Sequence, residues 1–192
     1  VRVGGDDVCI RRQMRRLCGE LVTELTLSAP ESPVDLYGSL CATMSRRRGR
    51  PVRFRMAAFP PGTASGLWLD MADQDLVVVE ERTAPDHQLV ILGHELWHMT
   101  AGHHGGIVGA TPVTHRLLAG GGGPVDEETL RATVRAVAAR SRFDLADERE
   151  AESFGLLLAS KCRTWMAGST PPGAVRRDHL AARIEASLGY PG

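Results

Sequence analysis

The sequence predicts an α+β fold: a small, mainly antiparallel three-stranded sheet packed on two helices, with further helices at the N-terminus. Three observations carry this. Apolar residues recur at helical spacing over 8–27 and again over 33–48. Three short segments between 52 and 80 have the alternation or apolar runs of strands. The stretch 86–100 is apolar nearly all round, yet carries His94, Glu95 and His98, whose burial needs a chemical reason.

The first helix is amphipathic. Ile10, Met14, Leu17, Leu21 and Leu25 share one side, and Arg11, Arg12, Arg15 and Arg16 form a basic cluster read as a solvated face. Ser32 before Pro33 marks the start of a second helix, with Leu36, Leu40, Cys41 and Met44 inward and Gly49 at its end. Val52, Phe54 and Met56 alternate with Arg53 and Arg55 in a first strand. Segments 66–71 and 75–80 follow, joined by Ala72-Asp73-Gln74, a short connection that favours an antiparallel hairpin. Thr83 or Asp86 is then the expected cap of the apolar helix.

Beyond His98 the chain becomes glycine-rich, and the glycines read as loop, with a short helix over 113–119. A helix over 126–139 and a long one over 144–167 are expected next, the latter packing through Leu145, Phe154, Leu157, Leu158, Cys162 and Trp165. Three parts result: a helical segment at 1–49 packed on the core, a core at 50–168, and a tail or helix at 169–192.

Composition narrows the function. Lys+Arg and Asp+Glu are equal at 23 each, so no overall field points to nucleic acid or an anionic membrane as partner. No apolar run reaches a membrane span, and no basic start with an apolar core marks a signal peptide. A cytoplasmic setting is expected. Cys9, Cys18, Cys41 and Cys162 form no C-x-x-C pair and read as reduced core residues.

His94-Glu95-Leu96-Trp97-His98 is the chemical centre. Residues four apart on a helix share a face, so both imidazoles can reach one metal ion, and Glu95 stands at the edge of that face. This is the H-E-x-x-H arrangement, in which two histidines hold Zn2+ and the glutamate takes a proton from the attacking water. A third ligand is required, and two candidates compete. His104 has the spacing of a longer H-E-x-x-H-x-x-G-x-x-H motif, but Ala101 stands where that motif needs glycine. Glu148 lies near a helix start and shares a face with Glu152 and the small residues Ala151, Gly155 and Ala159, a face that permits close helix approach.

Three strands, then His94 to His98, then Glu148-Arg149-Glu150-Ala151-Glu152-Ser153-Phe154-Gly155, resemble the gluzincin zinc proteases, above all the ImmA/IrrE family of metallopeptidases. The resemblance spans roughly residues 50–165, by motif order. It implies a minimal gluzincin-like fold, with His94, His98 and Glu148 as zinc ligands and Glu95 as the base. Glu152 then stands where the family has Asn or Asp, supporting a ligand histidine, and Gly155 replaces an alanine.

The implied function is a zinc-dependent endopeptidase acting on a protein partner. The family's substrates are transcriptional repressors encoded nearby, in stress or toxin-antitoxin operons, or an antitoxin. The alternative is a zinc-bound module that acts by binding alone. The oxyanion-stabilising residue is open among His103, His104, His115, His179 and Tyr190.

Overall fold

The computed structural model describes residues 3–28, 30–62, 64–71, 73–103, 128 and 145–167. Among them, five helices and a three-stranded sheet run in the order α1 (Val3–Ser28), α2 (Pro33–Arg48), β1 (Val52–Ala57), β2 (Gly66–Asp70), β3 (Asp75–Glu80), α3 (Pro85–Ala101), α4 (Leu145–Lys161) and α5 (Arg163–Ala167). The expected helices at 113–119 and 126–139, and the tail at 169–192, lie outside the described residues.

The sheet is mixed, not mainly antiparallel. Its order is β1-β3-β2, with β2 antiparallel to β3 through the expected hairpin and β1 parallel to β3. The connection 58–65 carries the chain from β1 past the central position, which β3 then fills. As a central strand, β3 is buried on both faces along Leu76-Val77-Val78-Val79, and therefore reads as a continuous apolar run. Val77 and Val79 face the helices, and Leu76 and Val78 join Phe59, Leu67, Leu69 and Met71 on the other side.

The N-terminal helices follow their pattern. Met14, Leu17, Leu21 and Leu25 of α1 and Leu36, Leu40, Cys41 and Met44 of α2 enter the same core as α3 and α4, while the four arginines of α1 stay exposed. The Ser32 hydroxyl accepts from the Asp35 backbone N–H as an N-cap, and Gly49 closes α2 in the left-handed region at φ 69°. Cys18, Cys41 and Cys162 are free and buried; Cys9, expected inside, is exposed.

Two helix ends differ from expectation. The N-cap of α3 is Ala84, whose side chain makes no capping bond, with Pro85 supplying the preset first turn in place of Thr83 or Asp86. The expected helix over 144–167 is two helices separated at Cys162, and Leu145, expected to pack, is 75% accessible at its start. No helix among the described residues is long and apolar enough to cross a membrane.

Candidate metal centre

Helix α3 is the axis of the core. Leu89, Leu92, Leu96, Trp97 and Met99 bury its flanks, and Gly102 (φ 72°) ends it with a backbone N–H bonded to His98 O. Burial on nearly every side leaves little water for the polar residues of the central turns. Glu95 is 5% exposed and the His98 side chain is wholly buried.

Helix α4 brings the third group. Ala151 and Gly155 pack against α3, and the first turn of α4 hangs over the two histidines. His94 Nε2 and His98 Nε2 are 2.9 Å apart. Glu148 Oε2 lies 3.5 Å from the former and Glu148 Oε1 3.4 Å from the latter. Ligand atoms about 2.0–2.2 Å from a tetrahedral ion stand about 3.3 Å from one another, so these separations bracket the spacing a single ion imposes.

Electrostatics agree with that geometry. Burial lowers the pKa of His94, opposed by the Glu152 charge, and lowers that of His98 to about 3, aided by His94 and His103. Both rings are therefore neutral near pH 7 and offer lone pairs. Burial, then the neighbouring Asp147 carboxylate, raises the pKa of Glu148, and its Oε1 is buried without a hydrogen-bond partner among the described residues. Converging lone pairs repel unless a cation lies between them, and these residues form the candidate metal group of the described chain.

Glu95 faces the sheet. Burial, then the Glu148 charge, pushes its pKa up to about 8, opposed by a hydrogen bond from the Trp68 backbone N–H. The approach to β2 is tight: a Cβ on Gly66 would lie 2.5 Å from Glu95 Oε1 and 2.5 Å from Ile91 Cγ2. Gly66 thus admits the carboxylate alongside β2. Sequence reading sees there only the first residue of a strand.

Glu152 does not take its expected place. Its side chain is exposed, it makes no hydrogen bond to His94 or His98 among the described residues, and it reaches His94 only through charge. The support around the site comes from other neighbours. Trp97 Nε1 donates to Glu150 Oε2 at 3.4 Å, and Trp97 stacks on Phe154 with ring centroids 5.2 Å apart, locking α3 to α4 beside the ligands. His103 Nε2 is 3.4 Å from Asp147 Oδ1, and its ring centroid is 5.5 Å from that of His98. His104, His115, His179 and Tyr190 lie outside the described residues. No protein-family model, curated protein or solved structure matches the chain.

Proposed function

We propose that the chain is a zinc-dependent endopeptidase of the ImmA/IrrE type, acting on a protein partner such as a repressor. The observation that carries this reading is the convergence of His94 Nε2, His98 Nε2 and Glu148 within 4.8 Å of one another, with an ionisable carboxylate, Glu95, buried one residue from the first ligand. Two imidazoles and a carboxylate suit zinc, and three protein ligands leave a position open, as a catalytic site requires. Zinc held there supplies Lewis acidity, polarising a peptide carbonyl and acidifying water.

The chain's own part is proton transfer and positioning. Glu95 accepts a proton from the attacking water and delivers it to the leaving amine, a task that favours a carboxyl titrating near neutral pH. Its hydrogen bond from Trp68 and the lid of Gly66 hold it at the outer edge of β2. Among the described residues that strand has no neighbour on its outer side in the order β1-β3-β2, so an extended substrate can pair with it beside the base.

Metal analysis and a single substitution test the reading. The zinc-loaded protein should hold one metal ion per chain, lose it in His98→Ala, and cleave a repressor encoded beside its gene. Glu95→Gln should keep the metal and lose cleavage. Biological function retained by Glu95→Gln would establish a module that works by binding alone. Full metal occupancy in both His98→Ala and Glu148→Ala would end the case for this centre.

A further inference from the structure

Helix α4 presents a second face, turned away from the ligands, and it lines a groove. Arg149, Glu150, Ser153 and Leu157 of α4 face Asp7, Ile10, Arg11, Met14 and Arg15 of α1 across a volume of about 720 Å³. The floor is apolar: Met14 is buried, and Ile10 and Leu157 are partly so. The rim is cationic. Arg11 is neutralised by Asp7 at 2.9 Å, and Glu150 is engaged by the Trp97 indole. Arg15 and Arg149 have no side-chain hydrogen bond or ion pair among the described residues; since the Trp97 indole leaves Glu150 charged, the three arginines exceed the two carboxylates by one, and the groove is net positive above an apolar floor.

We propose that this groove docks an acidic, amphipathic segment of the protein substrate, with apolar side chains seated between Ile10, Met14 and Leu157 and carboxylates meeting Arg15 and Arg149. Its position makes it useful to the chemistry. Arg149 and Glu150 directly follow the ligand Glu148, so at 1.5 Å per residue the groove begins within one helical turn of the metal centre. Charge paired across such a rim sets partner choice and association rate, while the apolar floor supplies contact area.

This rests on the endopeptidase reading for its biological role, but docking is measured without turnover. The probe is a labelled helical peptide with glutamates flanking a leucine stripe, bound to the full chain carrying Glu95→Gln and followed by fluorescence anisotropy. Arg15→Glu combined with Arg149→Glu should weaken binding on the order of tenfold or more, with a matching loss of salt dependence. Arg12→Glu, on α1 but outside the groove, should leave it unchanged. Metal content is measured in each variant; because Arg149 adjoins a ligand, Arg15→Glu alone must also weaken binding.

Equal affinity for a peptide with glutamine in place of glutamate would overturn the proposal. So would unchanged binding by Arg15→Glu, or displacement of the peptide by a single-stranded oligonucleotide that binds more tightly. Docking without cleavage by the Glu95-intact, zinc-loaded protein would sink the peptidase reading and leave the groove standing. Cleavage indifferent to Arg15 and Arg149 would sink the groove alone.

Discussion

Gly93 of α3 and Gly155 of α4 face each other where the two helices cross: a Cβ on Gly93 would lie 2.9 Å from Gly155 Cα, and one on Gly155 would lie 2.5 Å from Val90 O and 3.2 Å from His94 N. The crossing is thus a contact between backbones. It lies two helical turns from Glu148 and one residue from His94, so its separation fixes whether the carboxylate reaches the imidazoles.

Gly155→Ala should therefore destabilise the protein and weaken metal binding together. Alanine gains roughly 1 kcal/mol in helix propensity. Overpacking against an unyielding carbonyl costs about 1–3 kcal/mol or more, and it wins here. Gly93→Ala, whose nearest obstacles are a Cα and the flexible end of Leu158 at 3.3 Å, should cost less. Gly19→Ala is the control: it is exposed within α1, nothing lies within 4 Å of its Cβ, and it should stabilise by roughly 0.5–1 kcal/mol. Urea unfolding and zinc titration of the three variants check the order.

The crossing also shows what the sequence made legible. The spacing of His94 and His98, the face shared by Glu148, Ala151 and Gly155, and the buried side of α1 are all periodic features of single helices, and the structure places them as their periods require. Contacts set by distant chain segments were not readable. Nothing local to β1 says that it pairs in parallel with β3, and nothing local to Gly66 says that a glutamate from α3 will lie on it. Glu152, placed by analogy with shorter Asn or Asp side chains, points to solvent. Leu145 is apolar, but it precedes the packed turns and meets no neighbour among the described residues that would bury it.

Gly66→Ala should separate chemistry from metal binding. Its Cβ would meet Glu95 Oε1, the end of a side chain that can swing aside, and Ile91 Cγ2, a methyl held by a β-branched helical residue that can give little, so the substitution should cost about 1–3 kcal/mol. Glu95 would nevertheless be displaced from the Trp68 N–H. We expect zinc content as in the parent and kcat reduced about 10–100-fold with KM little changed, since general acid–base catalysis contributes on that order or more. Parallel loss of zinc would show instead that Gly66 supports the ligands.

The metal-free protein should be most stable over a plateau from about pH 4.5 to about 6.5, where two opposed effects offset each other, and should lose stability on the alkaline side. The native state holds His98 at about 3 and His94 below its ordinary value, so below about 6.5 the unfolded chain binds more protons at these two rings, and their contribution to stability falls as pH falls. Glu95 acts in the opposite sense. Its native value of about 8 means that the folded state binds the extra proton between about 4.5 and 8, and stability falls as pH rises through that window; Glu148, raised likewise, adds to it. Above 6.5 only the carboxyl effect remains, with a slope on the order of 1.4 kcal/mol per pH unit for a buried group. Denaturant midpoints of chelator-treated protein should trace this plateau and its alkaline decline, and Glu95→Gln should flatten the decline. Stability rising steadily from pH 6.5 to pH 8 would contradict the burial of Glu95.

Asp75, the first residue of β3, ties three other elements together at that end of the sheet. Its carboxylate is wholly buried and accepts from Arg48 Nε at 2.6 Å, Arg50 Nε at 2.8 Å and Trp68 Nε1 at 2.8 Å. Burial alone would raise its pKa, but hydrogen bonds from Arg50, Trp68 and Arg48 outweigh it and hold the carboxyl below its ordinary range. Arg48 also donates to Met99 O, so one carboxylate links the end of α2 and the start of β1 to β2 and, through Arg48, to the last turns of α3. Removing the charge strands two arginines that are 26% and 28% exposed; they keep some water, which places Asp75→Asn at the low end of the cost for breaking a buried pair, about 3 kcal/mol. With the native pKa depressed, the stabilisation is present above about 3.9 and is lost as pH falls through the native value. The variant should therefore lose stability at pH 7 and converge on the parent in acid. Because Trp68 carries both the indole bonded to Asp75 and the backbone N–H bonded to Glu95, the same variant should lower kcat without changing zinc content. Unchanged turnover would confine Asp75 to the scaffold.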